Sequence, residues 1–263
     1  MGKFDGILIC SDFDGTLGTA GQISKENRDA ISYFQENGGL FTIVSGRNPM
    51  LLHEWLTEIG MHVNAPLVGY NGAWIIDPES KQTLFSGGRN DFAAIELLVP
   101  FWNRDGRILE LLPHSTPTWI PRCKRSVQTD TPEKLIYPES LPLYNVLALT
   151  ACEEDAIALR DELIEAAGDR FEIARSWATG IEVINPHDRK GVAIRRVQQM
   201  TGAHTIVTVG DYENDHSMIK EADIGYAVAN AIDSIKAVAD RHTVDFREHA
   251  IAAIVRDLEE RGI

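Results

Sequence analysis

Four short runs of this chain carry residue types that can do chemistry together. Ser11-Asp12-Phe13-Asp14-Gly15-Thr16-Leu17 sets two carboxylates at i and i+2, directly after the apolar run Ile7-Leu8-Ile9-Cys10. In extended chain such a pair points to one side. Carboxylates held that close repel, and a hard, oxygen-seeking cation such as Mg²⁺ relieves the repulsion. Gly15 permits a sharp turn, and Thr16 adds a hydroxyl. Val44-Ser45-Gly46-Arg47 places a hydroxyl at the end of a second apolar run, ahead of a helix start, which suits an oxyanion or phosphate. Lys190, in Asp188-Arg189-Lys190-Gly191, stands at the start of a predicted helix, where the dipole disfavours a cation and an anion would compensate. Gly210-Asp211-Tyr212-Glu213-Asn214-Asp215 brings acids in behind a third apolar run. Asp211 can reach a cation held by the first run, and Asn214 and Asp215 open the next helix. Each run also has a plainer reading: a capping turn, a Ser-Gly turn, a solvated lysine, helix caps. Three of the four fall at the C-terminal ends of predicted strands, the rim where open α/β sheets bind ligands.

The elements that must position these runs follow an α/β pattern. Ile7–Cys10 and Leu40–Val44 are continuously apolar, as strands covered on both faces are. Between them a helix is predicted over Ser24–Asn37, with Ser24 as N-cap and Gly38-Gly39 as its stop. Asn48-Pro49 opens a further helix. Later, a helix over Asp188–Met200 with Val192, Ala193, Val197 and Met200 as its buried stripe precedes the strand Thr205–Val209. A helix near Asn214–Glu221, a strand over Ile224–Val228, a helix from Asn230 and a last helix over Glu248–Glu260 complete the pattern. Strand and helix in alternation predict a doubly wound parallel sheet, Rossmann-like, built from residues 1–82 and 185–263. The middle, 83–184, predicts an inserted α+β domain: helices near Asp91–Val99 and Glu153–Ala167, with strand-like runs at Arg107–Leu112, Tyr144–Thr150 and Phe171–Ile184.

Composition excludes several classes. The 263 residues carry 25 Lys+Arg against 39 Asp+Glu, a net charge of −14, which opposes a general nucleic-acid or anionic-membrane binder. The three cysteines, Cys10, Cys123 and Cys152, are far apart and fit no zinc spacing. No apolar run reaches the roughly 18 residues a membrane span requires. The first residues hold one lysine and a short apolar run, too short for a signal-peptide core. A cytoplasmic protein is expected.

In order and spacing these motifs resemble the haloacid-dehalogenase superfamily of aspartate-nucleophile phosphatases. They are most similar to the Cof-type and sucrose-phosphate-phosphatase-like branch, whose large α/β cap is inserted between the second and third motifs. Asp12-Phe13-Asp14-Gly15-Thr16-Leu17, Ser45-Gly46-Arg47, Lys190-Gly191 and Gly210-Asp211-x-x-Asn214-Asp215 carry the resemblance, and Asn71-Gly72-Ala73 matches a short segment before the cap. The resemblance implies a Mg²⁺-dependent phosphomonoester hydrolase of a small phosphorylated metabolite, such as a phosphosugar. Asp12 would be the nucleophile and Asp14 the general acid and base. Mg²⁺ would be held by Asp12, Asp211 and the backbone carbonyl of Asp14. Ser45, Gly46 and Lys190 would hold phosphoryl oxygens, with Thr16, Asn214 and Asp215 in support. Arg47, Asn71, Gly72, Arg122 and Glu182 are candidates for substrate contact. Arg122, Lys124 and Arg125 near Trp119 form a basic run that reads first as a solvated loop and second as a contact for a sugar or a further anion, and Arg175-Ser176-Trp177 is comparable. The rivals are a phosphomannomutase-like phosphotransferase, a dehalogenase, for which Asp14 would have no role, and a non-catalytic regulatory protein.

Overall fold

The computed structural model describes residues 2–19, 22–88, 93–104, 106–115, 122–127, 131 and 142–263. In chain order the elements are β1 (Ile7–Ser11), α1 (Lys25–Glu36), β2 (Leu40–Ile43), α2 (Pro49–Glu58), β3 (Leu67–Gly69), β4 (Trp74–Ile76) and β5 (Thr83–Ser86). Then come α3 (Ala93–Arg104), β6 (Glu110–Ser115), β7 (Cys123–Lys124), β8 (Leu143–Leu149), α4 (Glu153–Ala167), β9 (Glu172–Trp177) and β10 (Gly180–Ile184). The chain closes with α5 (Lys190–Thr201), β11 (Thr205–Gly210), α6 (His216–Glu221), β12 (Ile224–Ala227), α7 (Asp233–Val238), β13 (Arg241–His242) and α8 (Ala250–Arg261). It divides into two compact units, residues 1–85 with 190–263, and residues 86–189.

The first unit is built on a parallel sheet in the order β13-β12-β11-β1-β2. Every residue of β1 is buried, as its unbroken apolar sequence requires of a central strand. β1 runs beside β11 in the register Ile7↔Thr205 to Ser11↔Val209, and beside β2 with Ser11 opposite Ile43. The chain leaves β1 in one direction across the sheet and returns on its other side, so the β1/β11 boundary is a topological switch point. Asp12, Ser45 and Asp211 all lie just past the C-terminal ends of their strands. The Asp12 N–H continues the ladder to the Val209 carbonyl at 3.0 Å, and the Val44 N–H reaches the Ser11 carbonyl at 2.8 Å. Ser24 caps α1 by accepting from the Asn27 N–H, and Asn48 caps α2 by accepting from Met50 and Leu51, with Pro49 at the first helical position.

α5 buries Ala193 and Val197 as its sequence suggested, but its inward face is shifted away from Val192 and Met200. Lys190, Gly191, Ala193, Ile194 and Val197 are buried, whereas Val192 is only half-buried and Met200 is exposed. The helix is turned so that Lys190 points inward, and i+3, i+4 and i+7 from a lysine then make up the apolar stripe. A Cβ on Gly191 would stand 2.7 Å from the Ser217 carbonyl oxygen, so glycine is what allows this helix to seat.

The second unit is an antiparallel sheet in the order β7-β6-β8-β10-β9. A core that includes Leu98 and Trp102 of α3, Leu159 and Leu163 of α4, and Leu111, Val146, Ala148, Ile181 and Val183 of the strands covers one sheet face. The run Phe171–Ile184 is two strands, β9 and β10, folded back on each other, and the strand expected over Arg107–Leu112 starts later, at Glu110. α3 continues through Pro100 to Arg104, which buries Trp102. Asp91 and Phe92, where that helix was expected to begin, lie outside the described residues.

Candidate active site

Asp12 is buried at the end of β1, and its Oδ1 accepts from Lys190 Nζ at 2.6 Å. Lys190 is wholly buried, and Nζ also donates to Asp215 Oδ1 at 2.7 Å. Asp215 in turn accepts on Oδ2 from the N–H groups of Asp211, at 2.8 Å, and Tyr212, at 3.2 Å. Thr16 Oγ1 donates to Asp211 Oδ1 at 3.0 Å. Residues separated by about two hundred positions in sequence are thus placed by the β1/β11 pairing within one hydrogen-bonded cluster. Two glycines make room for it. A Cβ on Gly15, whose φ is +83°, would meet Asp211 Oδ2 at 2.5 Å, and one on Gly210 would meet the Asp215 carboxylate at 2.5 Å.

Ser45 is buried at the end of β2, and its Oγ accepts from the Arg47 N–H at 3.2 Å; Gly46 between them is half-buried. Asn71, in the left-handed region at φ 58°, donates its N–H to the Ser45 carbonyl at 2.9 Å and accepts on Oδ1 from Asn214 Nδ2 at 3.0 Å. The Asn71-Gly72 segment therefore ties the second run to the fourth. Asp14 departs from expectation. Its half-exposed carboxylate is gripped by Arg47 through two hydrogen bonds of 2.7 Å, from Nε and Nη2, so it does not stand against Asp12 as an uncompensated pair. The Arg47 guanidinium lies 4.9 Å over the Phe13 ring, which meets Trp55 edge-on at 5.3 Å. Asn230 escaped the sequence reading. Its Nδ2 donates to the Gly15 carbonyl at 2.8 Å. The signal was its place just past β12, at the same rim of the sheet as the other three strand ends.

The two remaining candidates lie in the second unit. Glu182 is buried on β10, where it accepts from Asn145 Nδ2 at 2.5 Å and from the Ser176 hydroxyl. Asn145 Oδ1 pairs with His114 Nδ1 at 2.5 Å, and burial pushes His114 down to about 4, so the ring is neutral near pH 7. Arg122 and Lys124 face Glu110, at 3.3 and 3.8 Å, and Arg125 donates to the carbonyls of Ile108 and Trp102. Trp119 lies outside the described residues.

The acidic cluster has the donor set of a hard cation. Asp12, Asp211 and Asp215 each offer a carboxylate oxygen within 4.8 Å of the others. The Asp14 side chain is not in this group, and Asp215 is already satisfied by Lys190 and two N–H groups. Oδ2 of Asp12 and Oδ2 of Asp211 accept no hydrogen bond among the described residues, so they are the oxygens left for a ligand. The electrostatics agree. Burial first, then repulsion from Asp215, pushes Asp12 up to about 7 against the pull of Lys190. Burial and the charges of Asp12 and Asp215 push Asp211 up to about 8. Burial opposes the Lys190 ammonium, but Asp12 and Asp215 outweigh it and hold its pKa above the usual range. One ammonium cannot balance three carboxylates, and a dication would.

A pH dependence follows from these shifts. Between 3.8, the ordinary aspartate value, and the folded values near 7 and 8, the folded state holds protons that the unfolded state has released. Metal-free stability must then fall as pH rises from about 5 to 8, by up to about 1.4 kcal/mol per pH unit per carboxylate. Mg²⁺ should flatten or reverse the trend, because it favours the deprotonated pair. Thermal melts with and without Mg²⁺ measure this. A metal-free melting temperature that rises over this range would contradict it.

The comparisons with known proteins agree with the geometry. The family model for haloacid dehalogenase-like hydrolases matches residues 9–99 and 102–255. A 5-amino-6-(5-phospho-D-ribitylamino)uracil phosphatase of Bacillus subtilis is 29% identical over 255 residues, which cover 95% of this chain and 94% of that one. Among solved structures, a putative HAD/COF-like hydrolase from Plasmodium vivax superposes with a TM-score of 0.78 at 21% identity, covering 99% of this chain and 97% of the other. A HAD subclass IIB sugar phosphatase superposes with a TM-score of 0.74 at 20% identity, covering 97% and 98%. With a matching family model over most of its length and the buried Asp12–Lys190–Asp215 line at the head of its parallel sheet, the chain belongs to the haloacid dehalogenase-like hydrolases and is a phosphatase of the Cof-type branch.

Proposed function

We propose that the enzyme is a Mg²⁺-dependent phosphomonoester hydrolase of a small phosphorylated metabolite, a phosphosugar or a phosphorylated polyol, and that it works in the cytoplasm. The observation that carries this reading is Asp12: a carboxylate at the switch point of the sheet, fixed by Lys190 on one oxygen and open on the other. The name of the Bacillus subtilis relative, a phosphatase of a phosphoribityl compound, supports the substrate class, as does the sugar phosphatase neighbour.

In this reading the Asp12 carboxylate attacks phosphorus in line. The new Asp12 O–P bond forms as the ester P–O bond breaks, and the leaving alkoxide takes a proton from Asp14. Asp14 then receives a proton from the water that attacks the aspartyl-phosphate, and inorganic phosphate departs. Because Arg47 binds Asp14 as a carboxylate in the free enzyme, the phosphoryl group must draw Arg47 away for Asp14 to carry a proton. Arg47 would then serve the phosphate it was released to, beside the Ser45 hydroxyl and the Gly46 N–H. Lys190 holds Asp12 in place and offsets charge on the transferring group. Held by Asp12, Asp211 and the Asp14 carbonyl, Mg²⁺ would supply the charge that lets a phosphate dianion approach carboxylates, a repulsion of about 4 kcal/mol per pair of charges at 4 Å and an effective dielectric of 20. Asn214 and Asn71 brace the loops that carry these groups, and Glu182 and Arg122 are the proposed contacts for the rest of the substrate.

A panel of phosphorylated metabolites assayed for free phosphate tests the proposal. Turnover of sugar or polyol phosphates with Mg²⁺, lost in a chelator and restored by added Mg²⁺, is expected. Isomer formation without phosphate release would favour the phosphomannomutase-like alternative, and undiminished activity in the chelator would remove the metal from the mechanism.

A further inference from the structure

The first unit contains a cavity of about 600 Å³ that none of Asp12, Ser45, Lys190 and Asp211 lines. A volume of that size accepts a small molecule. Leu17, Ile23, Ile59 and Phe246 give it apolar walls, and Arg28 and Arg247 bring two cations to it. Among the described residues no carboxylate lines it, in a chain where acids outnumber bases 39 to 25. Asp29, next to Arg28, pairs with Lys25 at 2.5 Å, and Glu26 lies 3.6 Å from His249. Asp245 lies 3.5 Å from Arg247 and accepts its N–H at 2.9 Å, so it offsets part of that cation and leaves Arg28 as the stronger one.

Arg28 is the informative residue. Its Nη1 donates to the Ile59 carbonyl at 3.2 Å, but its Nε–H is shielded from water and has no acceptor among the described residues. A shielded donor without an acceptor is unfavourable. The present pose of the guanidinium is therefore one that an anion in the cavity would improve, by turning the fork to offer Nε and Nη2 together. Arg247 supplies a second cation, and its guanidinium lies 4.8 Å over the Phe246 ring, so an apolar surface adjoins the charge.

We propose that this cavity is a second ligand site, for a small organic anion with a carboxylate or phosphate head and an apolar body. The site is wired to the catalytic loop. Gly18, in its wall, accepts from the Gly15 N–H at 2.8 Å. Phe246, also in its wall, donates its N–H to Asn230 Oδ1 at 3.1 Å, and Asn230 Nδ2 donates to the Gly15 carbonyl at 2.8 Å. One wall residue, Gly18, thus holds Gly15 by its N–H, and a second, Phe246, holds the Asn230 that bonds its C=O; Gly15 is the glycine packed against Asp211. An occupant that shifts Gly18 or Phe246 changes the support of the loop between Asp12 and Thr16. The binding stands apart from the phosphatase reading, whereas the effect on turnover rests on it.

The test uses the full chain without Mg²⁺, labelled with ¹⁵N, and follows the arginine Nε–H resonances while benzoate, phenylphosphonate or benzamide is added. The Arg28 signal, assigned by its loss in Arg28→Gln, should move saturably with both anions and not with benzamide. The ratio of the two affinities tells whether carboxylate or phosphate heads are preferred. Arg28→Lys, which keeps the charge but loses the fork, should weaken benzoate by at least about tenfold. Equal response to benzamide, no saturable response, or unchanged affinity in Arg28→Lys would overturn the site. With Mg²⁺ present, benzoate should change kcat on a phosphate ester in the wild type and leave it unchanged in Arg28→Gln. Binding without any such change would overturn the coupling and leave the phosphatase reading intact.

Discussion

Asp12→Asn is expected to lower kcat for phosphate release by at least about 10⁴-fold, the scale on which loss of a covalent nucleophile acts. The amide has the shape of the carboxylate but cannot form the O–P bond. Lys190 still has Asp215 at 2.7 Å and finds an acceptor in the amide carbonyl, so the fold should survive. The metal-free variant should even be less sensitive to pH than the wild type. Asparagine imitates the protonated form in which burial and Asp215 hold Asp12 below about pH 7, and one source of repulsion on Asp211 is gone. Phosphate-release kinetics together with melts at pH 6 and 8 read both effects. Activity within about tenfold of wild type would remove Asp12 from the role of nucleophile.

Lys190→Met is expected to damage both stability and catalysis. The substitution keeps most of the volume, so packing changes little, but it leaves Asp12 and Asp215 facing each other without the ammonium. Removing one member of a buried ion pair costs about 3–5 kcal/mol, which corresponds to roughly 6–20 °C of melting temperature in a chain of this size. The loss should shrink as pH falls from 8 towards 5, because the carboxylates can then neutralise by taking up protons. Mg²⁺ should rescue stability more than activity, since it can hold Asp12 with Asp211 but cannot replace the bridge to Asp215. A variant that melts like the wild type at pH 8 in the absence of metal would show that this bridge is not what holds the site together.

The core of the architecture was legible because its signals are local. Ile7–Ser11 is apolar throughout, Ser24 and Asn48-Pro49 mark helix starts with their own side chains, and the acids follow directly on strand ends. What was not legible depends on residues distant in sequence. The grip of Arg47 on Asp14 spans 33 positions, and nothing in either motif alone distinguishes a paired Asp14 from a free one. The turning of α5 was hidden because Val192 and Met200 are as apolar as Ile194, and only the burial of Lys190 between Asp12 and Asp215 settles that Ile194 faces inward in their place. Asn230 has no motif, only a position at the rim. In the second unit the strand-like run Phe171–Ile184 conceals a reversal between Trp177 and Gly180, because the stretches on both sides of it read as strand.

The distance between partners at the active site also bears on how the protein is made. Thr16 and Asp211 are bonded across 195 residues, and β1 has β11 as one of its two neighbours. At a synthesis rate of about 5–20 residues per second, β1 waits roughly 10–40 s on the ribosome before β11 exists. During that time β2 can cover one flank, while the other offers an unsatisfied row of amides and carbonyls to any strand that comes near. An enzyme whose clustered buried carboxylates come from both ends of its chain is therefore exposed to misassembly for most of its own translation, and conditions that slow elongation of the last segment should raise its demand for chaperones.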